Sequence, residues 1–341
     1  MHNGIINNIS KFKLDIKARV SMKKSLWFSL LMLSPITMAS QNLQEQKVGG
    51  YSYFSFGMES IDYEERITSS VQVTANQSVP FSFKSSGSVS SPTIRSGGLF
   101  VINDAFDFAI DTSATFAPQS DNETWYMDFD YGPFQYDGEK VQENQFSYTD
   151  ATSRFLVQYK FNQNLRFVLG GEFMYHQYKR TEFNFTSPLT ETQDYVDKCV
   201  NLEGSNDCIL LEQVEEEITN LNVVTGLAYE SGSLKHSSMM HSAKLIAGSA
   251  VWSDVVNSDN TDVAFKETGG YTIIAEWRTT FSVSPGMNLG FFANYKLTER
   301  NEEMSDEISF VQDGLNRTKV VTIPEATTTS ITLGISAAWD L

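Results

Sequence analysis

His176 is the histidine of this chain best placed for chemistry. It lies in "LRFVLGGEFMYHQYKR" (165–180), where Arg166, Glu172 and His176 share one face of an alternating run, because residues two apart point to the same side of a strand. A hydrolase needs a base within hydrogen-bond reach of its nucleophile or water, oriented by a third group. "DFAID" offers Asp107 and Asp111 on one face, but on the half of their run remote from the level of His176. No Asp-x-Asp or Asp-x-His pair adjoins the histidine, His2 precedes the folded region, and His236 and His241 flank a turn. The reading is a hydrogen-bonded interior histidine, with no catalytic residue, cofactor or metal. A hydrolase acting at a rim through His176 is the outlying alternative.

Other charges fall on the same inward faces. Asp107, Asp111, Glu172 and Glu276 stand against Arg154, Lys160, Arg166, Lys244, Arg278 and Lys296. Buried charges must be paired or hydrated, so these residues are expected to form salt bridges with one another. Glu276 and Arg278, two apart on one strand, are expected to anchor that network. Cys199 and Cys208 form a disulfide candidate inside an acidic segment, which is the default for two cysteines outside the cytoplasm. No histidine accompanies them, which disfavours a metal site.

The elements that must position these groups are strands. "FLVQYKF" puts Phe155, Val157, Tyr159 and Phe161 on one face, and after Asn162-Gln163-Asn164 the run 165–177 returns with the same alternation. This is a hairpin signature. A second hairpin turns at Ser284-Pro285-Gly286. Extended along the chain, the pattern gives ten strands near 50–60, 94–102, 105–116, 152–161, 165–177, 218–229, 242–253, 269–283, 287–298 and 326–341. Short or modest turns alternate with long connections at 61–93, 117–151, 178–217, 254–268 and 299–325. Such loops are unusual in a compact soluble domain, but one long side and one short side is the plan of a transmembrane barrel.

The chain has 341 residues, a net charge of −17 and 13% aromatic residues. Met22–Ser40 has two lysines, an apolar core from Leu26 to Leu33 and the small-residue site Thr37-Met38-Ala39, the order of a cleaved secretory signal. Residues 1–21 are read as an upstream extension, 22–39 as the signal and 40–341 as a single barrel domain. Without residues 1–39 the chain carries 19 basic and 41 acidic residues, a net charge of −22, which argues against nucleic acid as a partner. The segment 178–217 alone holds ten acids, so the acid is concentrated in the connections. Tyr51, Tyr53, Trp252, Tyr271, Trp277, Phe281 and Trp339 are expected to form the interfacial aromatic belt.

The chain ends on "SITLGISAAWDL" (330–341), an alternating strand running to the last residue. With the signal peptide and the alternating runs, this resembles Gram-negative outer-membrane β-barrel proteins, more narrowly a solitary autotransporter-type or adhesin-type small barrel. The resemblance implies an all-β, antiparallel up-and-down transmembrane barrel of about ten strands, eight and twelve being the alternatives. It also implies that the barrel-assembly machinery reads the last strand through Ile331, Leu333, Ile335, Trp339 and Leu341, although this chain ends in Leu where Phe is commonest. The implied location is the outer membrane, in contact with its lipid and lipopolysaccharide. The expected role is structural or surface-interactive, with a filled lumen and acidic loops open to divalent cations or phage; a small passive pore is the runner-up.

Overall fold

In the computed structural model, residues 50–74, 77–132, 134–186, 213–231, 239–257, 269–304, 308–312, 315–319 and 322–341 are described. The signal segment and both cysteines, Cys199 and Cys208, lie outside them. The long strands are β1 (Tyr51–Thr74), β2 (Gln77–Val101), β3 (Phe106–Thr115), β4 (Ser120–Tyr131), β5 (Phe134–Lys160), β6 (Leu165–Phe185), β7 (Gln213–Glu230), β8 (Met239–Asn257), β9 (Gly270–Ser284) and β10 (Met287–Arg300). Four short ones follow, β11 (Glu303–Met304), β12 (Ile308–Gln312), β13 (Leu315–Lys319) and β14 (Thr322–Ile323), and then β15 (Glu325–Asp340). Among the described residues no helix is long and apolar enough to cross a membrane, which says nothing against crossing by strands.

Consecutive long strands pair antiparallel, except β3 and β4, which do not pair with each other, and β15 pairs with β1 from Tyr51↔Asp340 to Arg66↔Glu325, which closes the ring. The ring has ten staves, because β3 and β4 are two halves of one: β3 pairs with the lower parts of β2 and β5, and β4 with their upper parts. The halves part at residues 116–119, where Pro118 has no N–H to give to a ladder and Ala117 adopts a φ of 90°. Gln119 N–H is instead taken up by the Ser91 hydroxyl at 3.0 Å and Phe116 N–H by Pro92 O at 2.9 Å. Across the break the pairing with β2 moves from Thr93↔Thr115 to Gly87↔Glu123.

All ten expected strands are present, but several stretches read as long connections are strand. β1 and β2 run on as a hairpin paired as far as Thr74↔Gln77, and β4 and β5 as far as Tyr131↔Phe134; β6 continues to Phe185. The physical reason is the outward face. Beyond Phe54, Phe56 and Met58, β1 presents Ser60, Asp62, Glu64 and Arg66 to the outside, so the apolar alternation that marks a lipid-facing strand stops while the ladder continues into water. These stretches heighten the wall and add no stave.

Large apolar side chains face outward around the ring, among them Phe56, Phe155, Leu169, Val223, Leu245, Trp277, Phe291 and Leu333, all at least 41% exposed. In hydrocarbon every backbone donor and acceptor must be paired within the protein, which a closed ring achieves. The inside holds two apolar clusters, one around Leu156, Val168, Val224, Ile246 and Ile274, the other around Ile61, Tyr63, Phe146, Tyr148 and Tyr178. Tyr51 and Tyr53, expected in the outer belt, are 5% and 3% exposed and face the lumen. β1 carries aromatics on both faces (Tyr51 and Tyr53 inside, Phe54 and Phe56 outside), so aromatic content alone could not fix its phase. Trp252, Tyr271, Trp277, Phe281 and Trp339 do face out, with exposures between 41% and 48%.

Ile331, Leu333, Ile335, Trp339 and Leu341 are on the outward face of the closing strand or just past it, 41–61% exposed. Deleting Trp339–Leu341 removes the pairs Ser52↔Trp339 and Tyr51↔Asp340 and the Leu341 N–H to Gly50 O bond. The truncated chain is expected to fail to give the heat-shifted band of a folded barrel on gels; a normal shift would overturn this role for the terminus.

Candidate functional site: a lumen closed by charge

The lumen is crossed at four levels by ion pairs and hydrogen bonds between facing staves. Nearest the short turns, Asp107 of β3 accepts from Arg166 Nε at 2.9 Å and forms an ion pair with Lys160 Nζ at 2.7 Å. At the same end Tyr51 donates across the barrel to Glu230 of β7 at 3.1 Å. Arg278 lies 3.4 Å from the centroid of the Tyr53 ring. It is thus held by an aromatic face, and among the described residues it makes no ion pair with a carboxylate; the expectation that it anchors the network with Glu276 is corrected. The Tyr53 ring, coming from an inward position on β1 that was read as outward, takes that place.

The second level holds most of the charge. Glu276 of β9 accepts from Arg95 at 2.5 Å and Arg154 at 2.6 Å, with Lys244 at 3.5 Å. Asp111 lies 3.1 Å from Arg95, 3.6 Å from Arg154 and 3.6 Å from Lys244. Glu172 accepts Arg154 Nε at 2.5 Å and the Asn222 amide at 3.0 Å. Seven staves, from β2 round to β9, feed this one cluster. Arg95 is the residue that sequence reading passed over, although its alternation with Gly97 and Leu99 in "TIRSGGLFV" marks it as inward.

At the third level Lys296 of β10 spans the lumen to Asp150 of β5 at 2.8 Å and Thr152 at 3.3 Å. His176 sits here. Its Nδ1 is 2.5 Å from the Tyr148 hydroxyl and 3.7 Å from Asp150, and it is 3% exposed. The run expected over 165–177 puts His176 at its end, but β6 continues nine residues past the histidine, to Phe185, so His176 does not stand at a rim. Its acid, Asp150, fell in a segment read as loop. Above it Tyr63 stacks on Phe146 at 5.1 Å and meets Tyr178 at 4.6 Å, which in turn packs on Tyr148 at 5.1 Å.

The fourth level lies above the lipid-facing band and was missed entirely. Arg180 pairs with Glu65 at 2.8 Å and Glu123 at 2.7 Å, within 5.8 Å of the ring centroids of Tyr63, Trp125 and Phe146. Arg300 pairs with Glu216 at 2.6 Å and Glu65 at 3.3 Å. Burial alone would raise the Glu123 carboxyl, but Arg180 and the hydrogen bonds around it outweigh burial and hold it below its ordinary range. Burial pushes Glu65 up despite its two arginines. The Asp128-Phe129-Asp130 pair, also passed over, offers no further acid to the lumen. Both aspartates lie off the inward face, and Asp128 accepts from Ser82 and from Gly138 N–H. Among the described residues no cluster of His, Cys, Asp and Glu could hold a metal ion.

Two measurements probe these layers. Removing one partner of a buried ion cluster strands the others, so Glu276→Ala is expected to cost about 3–5 kcal/mol. Lys84→Ala, which breaks a half-exposed pair with Glu64, should cost about 0–1 kcal/mol. Urea midpoints of the heat-shifted form compare them, and equal losses would sink the assignment. A carboxyl held low in the folded state stabilises fully above its unfolded pKa and loses that contribution as pH falls through its folded value. Stability should therefore fall on acidification below the ordinary value of 4.5, and Glu123→Gln should flatten that limb; superimposable acid limbs would contradict it.

No protein-family model matches the chain, and no curated protein matches it. Solved structures do. The outer-membrane protease OmpT from Escherichia coli superposes with a TM-score of 0.53 at 8% identity, covering 88% of this chain and 99% of that one. A FadL homologue from Pseudomonas aeruginosa covers 86% and 90% at a TM-score of 0.31 and 9% identity. Ail, the attachment invasion locus protein of Yersinia pestis, covers 85% and 99% at 0.25 and 9%. At 8% identity the likeness to OmpT is one of fold. Closed ring, lipid-facing outer surface and this likeness together identify the chain as an all-β antiparallel barrel with the fold of Gram-negative outer-membrane proteins.

Proposed function

We propose that the chain is an outer-membrane barrel with a closed lumen, exported by a cleaved signal, and that it acts through what it presents above the bilayer. The observation that carries this reading is the set of side chains meeting across the lumen: Tyr51 to Glu230, Arg95 and Arg154 to Glu276, Lys296 to Asp150, Arg180 to Glu65. A cavity between the second and third levels, lined by Glu59, Arg95, Asp150, Asn294 and Lys296 among others, has a volume of only about 10 Å³, roughly the room for one water. A ten-stave ring is near the size at which side chains fill the interior. Its partners on this reading are membrane lipid and lipopolysaccharide around the wall, the assembly machinery at the last strand, and cations or phage at the acidic outer connections. Use of His176 as a rim base is disfavoured, because it lies beneath the aromatic layer at 3% exposure.

Reconstituted in planar bilayers, the purified barrel should give no stepwise conductance. Arg154→Ala combined with Glu276→Ala, which empties the most crowded level, should leak small ions. Steady openings of porin size in the unaltered protein would overturn closure and favour the passive-pore reading.

A further inference from the structure

The lipid-facing wall is not uniformly covered. Between Phe54 of β1 and Phe173 of β6 it carries a groove of about 260 Å³. Its floor is Ser96, Thr112, Ala114, Ala151 and Ser153, from β2, β3 and β5, where other staves at this face set phenylalanine, leucine or valine. Two of the three floor hydroxyls satisfy each other: Ser96 Oγ and Thr112 Oγ1 are 2.8 Å apart, and Thr112 also donates to Ser96 O at 3.1 Å. On the side away from the short turns, Phe56 and Phe116 meet edge to face at 5.9 Å, Phe116 standing at the start of the break in the third stave. The result is a recess walled by aromatic rings and floored by small side chains, in a surface that faces hydrocarbon.

We propose that this groove seats an acyl chain of a glycolipid in the outer leaflet. A void in such a surface forfeits dispersion contacts until something apolar fills it, and hydrocarbon is the medium in front of it. A second copy of the chain is the competing occupant, and the dimer readout below tests it. The headgroup follows from the wall above. There the outward positions are Ser88 and Ser90 on β2, Ser120 and Asn122 on β4, and Ser147 and Thr149 on β5, uncharged groups suited to sugar hydroxyls. Asp62, which borders them and accepts from Ser88 at 2.7 Å, repels a phosphate but accepts from a sugar hydroxyl. The proposal rests on the barrel lying in a bilayer and is independent of whether its lumen conducts.

The test uses the full mature chain in nanodiscs that contain a glycolipid and a phospholipid with matched acyl chains, followed by native mass spectrometry after detergent exchange. The unaltered protein should retain the glycolipid preferentially. Ala114→Leu with Ala151→Leu, which fills the floor, should lower retention at least about tenfold, about 1.4 kcal/mol. Ala275→Leu, at an exposed outward position on β9, should leave it unchanged, and heat-shift on gels shows that each variant is folded. Equal retention of the phospholipid, undiminished retention by the filled variant, or a dimer that the filling dissociates would each overturn the proposal. Bilayer conductance, which bears on lumen closure, is a separate readout.

Discussion

The pairing of β1 with β15 is the contact on which the rest depends. It joins the first and last of the described strands, from Tyr51↔Asp340 to Arg66↔Glu325, and until it forms the sheet has two open edges. In hydrocarbon an open edge leaves a row of backbone donors and acceptors with no water to satisfy them. The loop-closure cost of so distant a pairing must be met before its bonds form, so the partly closed sheet is the vulnerable state. Closure also creates an inside. Only then do Arg95 and Glu276, on widely separated staves, come within 2.5 Å.

The inside is nearly neutral although the chain is not. Counting Lys160, Lys244 and Glu276, which are 9–12% exposed, the described lumen holds ten carboxylates and nine cations. The surplus of acid in the chain therefore does not come from the described lumen. Buried pairs of this kind add little net stability over an apolar core of equal volume. Their effect is on geometry, since each arginine that bridges two or three acids fixes the spacing of the staves that carry them. Arg154, shared by Glu172, Glu276 and Asp111, ties the third, fifth, sixth and ninth strands together.

The strands that cross lipid were legible because lipid imposes a period of two with large apolar groups on one face, as in Phe155, Val157, Tyr159 and Phe161. The inward faces of the same runs could then be read by parity, which placed Asp107, Asp111, Arg154, Lys160, Arg166, Glu172, Lys244, Glu276 and Lys296 where the structure has them. Parity gave no contacts, and so it coupled Arg278 to Glu276 when the nearer neighbour is an aromatic ring. Above the bilayer the outward face is serine, threonine and charge, as in Ser86, Ser88 and Ser90, which is the composition of a loop. Glu65, Glu123, Asp150, Arg180, Glu216 and Arg300 were hidden by that likeness to a loop. His176 was recognised as inward but stripped of its neighbours, because Tyr148 and Asp150 belong to such a stretch.

The break in the third stave bears on how the length of this wall can change. Between Thr93↔Thr115 and Gly87↔Glu123, β2 advances six residues while the broken stave advances eight. The surplus is two, so side chains re-enter the ladder in phase and Glu123, Trp125 and Met127 keep facing inward. β8 shows the alternative: against β7 it carries one extra residue near Val251, and its inward set switches from even positions such as Ile246 to odd ones such as Val255. Insertions here obey arithmetic modulo two. A single residue gained or lost at 116–119 would turn Glu123 out to solvent and bring Asn122 and Thr124 in, whereas a pair could come or go with the inside still inside.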